Sequence, residues 1–310
     1  MRVLLLIDKA DWSYQQIAEA LVKQNTDRSL ELEILALKGH TRLFRSKYLE
    51  YDRTLIFGHQ LLSMIPPLTR FVMNDGDCLI GIHSHHSWDP DLRTTPDEDI
   101  EPPSQLISTL RGFRAVNCVS QRLFNLFAGR GLNLYLTPNG VDCDRFKPTQ
   151  PLSTEGPLRV GVAYTPKHDK RKGVEEFIRP ACEKVGAILV EAKARSEQHV
   201  RPEDMPAWHN SYDVYVCASS SEGFSLAVLE AAACGRPVIS TRVGGSTELM
   251  RRVHDGCLVD RTSDAIAEAL VLYRDDRIRL AMDGLSIRRL VEEDWSWKRR
   301  AVAWLDFMRS

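Results

Sequence analysis

The stretch SSEGFSLAVLEAAACGRPVIS, residues 220–240, decides the fold. The residues just before it, 213–218, are mostly apolar and predict a buried strand. Residues 225–234 are strong helix formers with an apolar face, and Gly235 followed by Pro237 is typical of a helix end. Residues 237–240 then predict a second strand. The stretch therefore predicts a strand, a helix and a parallel strand in succession.

The turn that leads into this helix contains residues that could bind a ligand. Gly223 allows a tight turn. The first backbone amides of the helix lack partners within it, and they belong to Phe224, Ser225 and Leu226. Such a helix N-terminus favours an anion by ~0.3–1 kcal/mol. Glu222 in the loop and Glu230 in the helix should lie roughly 10 Å apart at ~1.5 Å per residue, which suits two ends of one extended ligand. An ordinary strand, loop and helix with two solvated glutamates is the alternative.

Strands alternate with helices along the chain. The predicted strands lie at residues 2–8, 31–37, 53–58, 77–83, 115–119, 134–136 and 158–163. This alternation predicts an α/β fold with two doubly wound parallel-sheet, Rossmann-like domains. The segment KPTQPLSTEGP, residues 147–157, has the composition of a linker, so we place an N-terminal domain at 1–150 and a C-terminal domain at 151–294. Ligands should bind at the carboxyl ends of the strands, facing a central cleft between the domains.

Length and composition agree with a two-domain globular protein. The chain has 310 residues, 43% of them hydrophobic and 27% charged, and its net charge of −1 gives no bulk attraction to nucleic acid or anionic lipid. No stretch reaches the ~20 apolar residues of a membrane span. Residues 1–8 are too short for a secretory signal, and the seven scattered cysteines contain no C-x-x-C pair. We expect a cytoplasmic protein with reduced thiols, and peripheral association with a membrane stays open.

Three segments share their sequences and their order with a known family. They are TPNGVD at 137–142, Lys172-Gly173 ahead of a predicted helix at 174–182, and the run from NSYDV at 210–214 to VGGSTEL at 243–249. Together they resemble the family-4 retaining glycosyltransferases, the glycosyltransferase group 1 family with the GT-B fold. The resemblance spans most of residues 137–250 and is weak before residue 115. It implies that the last helix, within 295–310, crosses back to the N-terminal domain.

The resemblance also implies roles for individual residues. Glu230 should accept hydrogen bonds from the ribose of a nucleotide-sugar, and Glu222 should orient the transferred sugar. His83, which ends the predicted strand 77–83, should stabilise the sugar in the transition state. The candidate catalytic residues are therefore His83, Glu222 and Lys172. The candidate donor-binding residues are Lys167, Lys172, Gly223, Phe224, Ser225, Leu226 and Glu230.

The sequence departs from the family in two loops. The family usually carries an arginine just after the glycine of the first strand of the second domain, and this chain has Gly161 followed by a longer loop. Lys167 is the candidate substitute for the second phosphate-binding cation, with Arg171 next. The loop after the first strand of the chain reads KADW at 9–12 where many relatives have paired glycines. Asp11 could bind sugar hydroxyls, and Trp12 could stack on a sugar or only pack on the domain.

A metal site is the rival interpretation of the histidine-rich segment GIHSHHSWD, residues 81–89. Its three imidazoles together with Asp89 have the ligand types that zinc prefers. The resembled family works without a metal, and we expect none here. His59 also ends a predicted strand, and a structural and a functional role for it are both open.

The sequence thus predicts a hexosyltransferase-type enzyme. The donor would be a UDP-, GDP- or ADP-sugar, with no further cofactor, and transfer would proceed on the front face with retention. The acceptor hydroxyl stays open among a lipid, a small metabolite, a glycan and a modified nucleic-acid base, and so does the oligomeric state. The alternatives are an epimerase or phosphorylase of the GT-B type and a non-catalytic module that binds nucleotide-sugars.

Overall fold

The chain forms two compact units. The computed structural model describes residues 1–10, 13–73, 75–84, 88, 100–251, 253 and 258–310, without the side chains of residues 71 and 72. Within these, the first unit takes the residues up to 88, then 100–140 and 297–310, and the second takes 141–296. The division therefore falls after residue 140, whereas the linker composition placed it at 150, and the chain returns to the first unit at residue 297.

The first unit is built on a parallel sheet. Its strands in the described part of the chain are β1 Arg2–Ile7, β2 Glu31–Ala36, β3 Arg53–Ile56, β4 Cys78–Ile82, β5 Ala115–Cys118 and β6 Leu134–Leu136. They pair in the order β2-β1-β3-β4-β5-β6, always in parallel. Strands β1, from Val3 onward, and β4 are continuous apolar and fully buried runs, as expected where helices cover both faces of a sheet.

The second unit repeats the plan with fewer strands. Those described are β7 Arg159–Tyr164, β8 Ile188–Lys193, β9 Val214–Cys217 and β10 Val238–Ser240. They pair in parallel in the order β10-β9-β7-β8. The prediction of an α/β fold with two parallel sheets is confirmed.

Helices follow most of the strands in both units. In the first unit they are α1 Ser13–Gln24, α2 Thr41–Tyr48, α3 Pro67–Val72, α4 Ser104–Leu110 and α5 Gln121–Phe127. In the second unit they are α6 Asp169–Lys172, α7 Arg179–Val185, α8 Met205–His209, α9 Leu226–Ala233, α10 Gly244–Met250, α11 Ser263–Asp275 and α12 Arg277–Leu290, and the last helix of the chain is α13 Trp297–Arg309. Helix α1 shows why they form, since it buries Tyr14, Ile17, Ala18 and Leu21 on one face at helical spacing.

The predicted helix at 174–182 differs from the structure. Residues Val174–Ile178 form a π-helical turn, and α7 follows it. The amide of Ile178 donates to the carbonyl of Gly173 at 3.1 Å, five residues back. Pro180 has no N–H to donate, so one bond of a regular helix is missing in this region. The wider turn begins directly after Gly173, which matters for the site described below.

Each sheet has a switch point where the strand order reverses. It lies between β1 and β3 in the first unit and between β7 and β9 in the second. In open parallel sheets, ligands bind beyond the carboxyl ends of the strands at such a point. The loops after β7 and β9 are therefore the first place to look for a site in the second unit.

The last helix belongs to the first unit. The side chain of Trp304 in α13 is fully buried. Its ring stacks on Phe57 with centroids 5.8 Å apart, and its Nε1 donates to the carbonyl of Pro138 at 3.1 Å. This tryptophan thus fixes α13 against β3 and against the segment that follows β6.

We expect Trp304→Ala to lower the free energy of unfolding of the first unit by about 3–5 kcal/mol, because it opens a large cavity and leaves the carbonyl of Pro138 without its donor. Val302→Ala is the matched control on the same helix, since Val302 is 58% exposed. Urea denaturation followed by tryptophan fluorescence and circular dichroism measures both variants. Equal stabilities for the two would contradict the role given to α13.

Candidate functional site

The loop after β9 is locked against the loop that opens α10. The amide of Gly245 donates to the carbonyl of Gly223 at 3.0 Å. A Cβ on Gly245 would lie 1.8 Å from the ring of Phe224, and one on Gly244 would lie 2.3 Å from the carbonyl oxygen of Glu222. The two consecutive glycines at 244–245 are therefore required by the close approach of the two backbones. This contact fixes the position of Glu222 at the switch point of the second sheet.

Three donors converge on one oxygen of Glu222. Lys172 Nζ donates to its Oε1 at 2.5 Å, Arg171 Nη1 at 2.9 Å and Ser219 Oγ at 2.7 Å. Arg171 Nη1 also donates to the carbonyl of Ser221 at 2.7 Å. The Glu222 side chain is only 11% exposed, and those of Arg171 and Lys172 are 22% and 18% exposed. The result is a nearly buried cluster of two cations and one carboxylate.

The ionisation of Glu222 follows from this cluster. Burial alone would raise its pKa, but the charges of Lys172 and Arg171, with the hydrogen bonds from Lys172 and Ser219, lower the pKa to about 2. Glu222 is therefore a carboxylate at neutral pH. The site therefore contains two positive charges, those of Arg171 and Lys172, and one negative charge, that of Glu222.

A glycine and a buried arginine bring the two cations to this place. Gly173 ends α6 with φ +66, and a Cβ there would lie 2.9 Å from the carbonyl oxygen of Ala218. Arg261 Nε donates to the same carbonyl at 2.8 Å, and its Nη2 donates to the carbonyl of Lys170 at 2.6 Å. Arg261 thus ties the end of α6 to the loop after β9, and burial lowers its pKa. The sequence analysis missed Arg261, since no motif marks it and only its burial in the fold shows its role.

Helix α9 begins directly after this loop. Ser225 is its N-cap, and the Ser225 side chain makes no capping bond. Gly223, Phe224 and Ser225 are buried, and Leu226 opens the helix. The amide groups at the start of α9 carry the partial positive charge of a helix N-terminus. The helix N-terminus that was predicted to favour an anion therefore begins directly after the loop that carries Glu222.

Glu230 lies on α9 in a different environment from Glu222. Its Oε2 lies 3.2 Å from Nε2 of His209, and Nδ1 of His209 lies 2.5 Å from the hydroxyl of Tyr212. The His209 side chain is fully buried, whereas that of Glu230 is 13% exposed. Burial lowers the pKa of His209, partly offset by Glu230, so this imidazole is neutral at physiological pH. His209 is a second residue that the sequence analysis missed.

The structure distinguishes the two candidates for the second cation. Arg171 contacts Glu222 directly, as described above. Lys167 lies exposed on a 3-10 turn, Pro166–His168. Arg171, named second by the sequence analysis, is the residue that completes the cluster with Lys172.

His83 lies at the carboxyl end of β4 in the first unit. Its ring packs edge-on against Tyr14 at 4.9 Å and lies 6.0 Å from the rings of Phe57 and Trp304. Burial and the nearby His59 lower the pKa of His83 to about 3, so it is neutral at physiological pH.

The zinc hypothesis and the KADW loop fall largely outside the described part of the chain. Of the histidine-rich segment, His85, His86 and Asp89 lie outside the described residues, and so do Asp11 and Trp12. Within the described residues, no group of three His, Cys, Asp or Glu side chains could hold a metal ion. In that same part of the chain, no helix is both long and apolar enough to span a membrane.

Residues 171–276 match the family model described as "Glycosyl transferases group 1". Residues 171–276 are therefore similar to the group 1 glycosyltransferases. The match begins at Arg171 in the cation cluster and includes Lys172, Glu222 and Glu230. The resemblance to the glycosyltransferase group 1 family is thereby confirmed.

Curated relatives agree with this assignment. The chain is 30% identical over 243 residues to a GDP-mannose-dependent alpha-(1-6)-phosphatidylinositol monomannoside mannosyltransferase from Mycobacterium tuberculosis, covering 64% of this chain and 62% of the relative. It is 38% identical over 112 residues to a D-inositol 3-phosphate glycosyltransferase from Paenarthrobacter aurescens, covering 36% and 27%. The chain thus spans less than two thirds of the length of these relatives.

Solved glycosyltransferase structures share the fold along nearly the whole chain. Sucrose-phosphate synthase from Thermosynechococcus elongatus superposes with a TM-score of 0.79 at 15% identity, covering 99% of this chain and 98% of that one. HepE from Anabaena, in complex with UDP and glucose, superposes with a TM-score of 0.71 at 13% identity, covering 100% and 99%. The chain therefore has the GT-B fold.

The low pKa of Glu222 predicts how the stability of the second unit depends on pH. Because the folded pKa of about 2 lies below that of an unfolded glutamate, about 4.3, the cluster contributes stability above pH ~4 and loses it as the pH falls toward 2. The full contribution is on the order of 3 kcal/mol, and about half of it should remain at pH 3.

Glu222→Gln removes this titration, so the difference in unfolding free energy between wild type and variant should be largest at pH 6–7 and shrink at acid pH. Urea titrations at pH 7, 5, 4 and 3 measure it. Glu268→Gln is the control because Glu268 is exposed on α11. A difference that stays constant with pH would contradict the ionised cluster.

Proposed function

We propose that this protein is a retaining, metal-independent glycosyltransferase that moves a sugar from a nucleoside-diphosphate sugar to an acceptor hydroxyl. The observation that carries the proposal is the pair of cations, Arg171 and Lys172, held by Glu222 at the switch point of the second sheet. Together with the N-terminus of α9, they provide positive charge from side chains and from backbone amides in one loop region.

The donor diphosphate would bind to this positive charge. Arg171, Lys172 and the amides of residues 224–226 are hydrogen-bond donors that match phosphate oxygens. The three donors described above meet at Oε1 of Glu222, which leaves its Oε2 to accept a bond from a hydroxyl of the transferred sugar. Glu222 offsets part of the positive charge, so Arg171 and Lys172 do not lie unpaired in a nearly buried place.

Glu230 would bind the other end of the donor. Its carboxylate is partly exposed on α9 and can accept hydrogen bonds from the two hydroxyls of a ribose. The Mycobacterium tuberculosis relative is named for GDP-mannose, and the Anabaena structure was solved with UDP and glucose. UDP-, GDP- and ADP-sugars are therefore the donors to test.

The transfer step needs no metal in this proposal. The bond between C1 of the sugar and the diphosphate oxygen breaks, and the electron pair leaves with the nucleoside diphosphate. The acceptor oxygen forms the new bond to C1 on the same face, and its proton passes to the departing phosphate oxygen. Arg171 and Lys172 would offset the charge that develops on the leaving group.

The acceptor is proposed to carry an inositol ring or a related polyol. The relatives described above are named for phosphatidylinositol monomannoside and for D-inositol 3-phosphate. Inositol phosphates and phosphatidylinositol mannosides therefore come first in an acceptor panel, followed by glycans and nucleosides. A lipid acceptor would make this a peripheral enzyme of the cytoplasmic membrane face.

The two glutamates should separate in their effects. We expect Glu230→Ala to weaken binding of UDP, GDP or ADP by about tenfold or more, because it removes acceptors for the ribose hydroxyls. Glu222→Ala should lower turnover by about 10²–10³-fold with a smaller effect on nucleotide binding. Calorimetry with the nucleotides and transfer assays with labelled donors measure these effects, with Glu268→Ala as the control. Normal binding and transfer in both glutamate variants would refute the site.

Transfer should persist at full rate with excess EDTA, because the cations of the site are side chains. The assay uses the preferred donor and the acceptor panel. Loss of transfer that only zinc restores would support a metal site instead. Interconversion or hydrolysis of the donor without transfer would support the epimerase or phosphorylase alternative.

A further inference from the structure

We propose that His209, held by Tyr212, is a positioning residue that presents Glu230 to the ribose of the donor. The inference rests on the proposed function for the role of Glu230 and adds two residues to it. Both act from inside the second unit, one layer behind the residue that contacts the ligand.

The three side chains form a line of hydrogen bonds from the core to the surface. The Tyr212 hydroxyl lies 2.5 Å from Nδ1 of His209, and Nε2 of His209 lies 3.2 Å from Oε2 of Glu230. Tyr212 and His209 are fully buried, and the Glu230 side chain is partly exposed. Of the three, Glu230 is the one that a ligand can reach.

The chemistry of the groups fixes the direction of these bonds. Burial keeps Tyr212 protonated by raising its pKa well above the usual value, and it keeps His209 neutral. If Nδ1 of His209 carried the proton, Nε2 would direct a lone pair at the carboxylate of Glu230, which is repulsive. The proton is therefore on Nε2, which donates to Glu230, while the Tyr212 hydroxyl donates to Nδ1.

The charged and titratable surroundings of His209 agree with this arrangement. Glu230 and the buried Arg236 are the charged groups that act on its pKa. The imidazole ring of His209 packs against the aromatic rings of Phe146, Trp208, Tyr212 and Tyr215, whose centroids lie 4.8–6.1 Å from its own. The positive charge of Arg236 further disfavours a second proton on the imidazole. His209 is thus a fixed neutral donor and does not switch with pH in the physiological range.

A glycine provides the place for Tyr212. A Cβ on Gly161 in β7 would lie 2.3–2.5 Å from three carbons of the Tyr212 ring. The ring therefore lies directly on the strand backbone, and this contact holds its hydroxyl at the distance that His209 needs. Gly161 is therefore required by its contact with Tyr212.

Fixing Oε2 of Glu230 matters because a free glutamate loses rotamer entropy when it binds. With Oε2 held by His209, the remaining lone pairs of the carboxylate point to fixed places before the donor arrives. A ribose with both hydroxyls satisfies these acceptors, and a deoxyribose leaves one without a partner. Preorganisation of this kind increases affinity and selectivity without a new contact to the ligand.

The test compares ribonucleotides with deoxynucleotides. Binding of UDP, GDP and ADP and of their 2′-deoxy and 3′-deoxy analogues is measured by calorimetry for wild type, His209→Phe and His209→Gln. Phenylalanine keeps the aromatic packing and removes the N–H, whereas glutamine keeps an N–H near the place of Nε2. We expect His209→Phe to weaken binding of the best ribonucleotide by about tenfold, the typical effect of one hydrogen bond to a charged group.

In His209→Phe the preference for the ribonucleotide over its deoxy analogues should shrink toward that of Glu230→Ala, and His209→Gln should restore most of it. In transfer assays KM for the donor should rise while kcat changes little. Tyr212→Phe should show a smaller loss of affinity and of preference for the ribonucleotide. This variant replaces His209→Phe in the test if His209→Phe does not fold.

Two results would overturn the inference. One is unchanged affinity and selectivity in a folded His209→Phe. The other is an equal loss for ribonucleotides and deoxynucleotides, which would mark a purely structural role. If wild type binds no nucleoside diphosphate, the proposed function itself fails and the inference falls with it, a result distinct from these two.

Discussion

The structure of the second unit depends on one constraint, which is that two cations cannot be held together in a nearly buried place without an anion. Arg171 and Lys172 are consecutive in the chain and both meet Oε1 of Glu222. Removing one partner from such a pair usually costs several kcal/mol, because it leaves a charge without compensation. The left-handed Gly173 and the buried Arg261 are explained by the need to bring the end of α6 to the loop after β9. Arg171, Lys172 and Glu222 thus form a compact electrostatic unit in which the carboxylate offsets one of the two positive charges.

The two glutamates of this loop and helix have opposite surroundings. Glu222 is held by positive charge, which lowers its pKa to about 2. Glu230 receives a bond from the imidazole of His209, which burial keeps neutral. The offset charge of Glu222 fits the sugar contact proposed for it, and the carboxylate of Glu230 keeps lone pairs for the ribose hydroxyls proposed to bind there. Glu222 and Glu230 are close in the sequence, but different residues hold them. Arg171, Lys172 and Ser219 bind Glu222, whereas His209 contacts Glu230.

Much of this was predictable from local sequence, and the rest was not for physical reasons. Apolar runs predicted nine of the ten described strands to within two residues. The tenth, β8 at Ile188–Lys193, was not predicted, because it lies at the edge of its sheet and carries Glu191 and Lys193. The linker composition placed the boundary at 150, whereas the chain changes unit after residue 140, since turn-forming residues show where the chain bends and not which core it packs on. Arg171 rather than Lys167 meets Glu222, and His209 meets Glu230 across some twenty residues. Such pairs arise from tertiary contacts that leave no periodic signal in a single sequence.

Gly161 is a core residue that can be mistaken for a ligand-binding residue in experiments that measure only survival or activity. It touches no proposed ligand, yet its lack of a side chain is what lets Tyr212 lie on β7. A scan of all single substitutions would find position 161 as intolerant as Glu230 itself, and alanine would be rejected almost as strongly as a larger residue. Intolerance to change in the middle of a strand would then be mistaken for contact with substrate. A second substitution distinguishes a packing role from contact with substrate. Shortening the side chain at position 212 should relieve the defect caused by a larger residue at position 161, whereas changing the ligand should not.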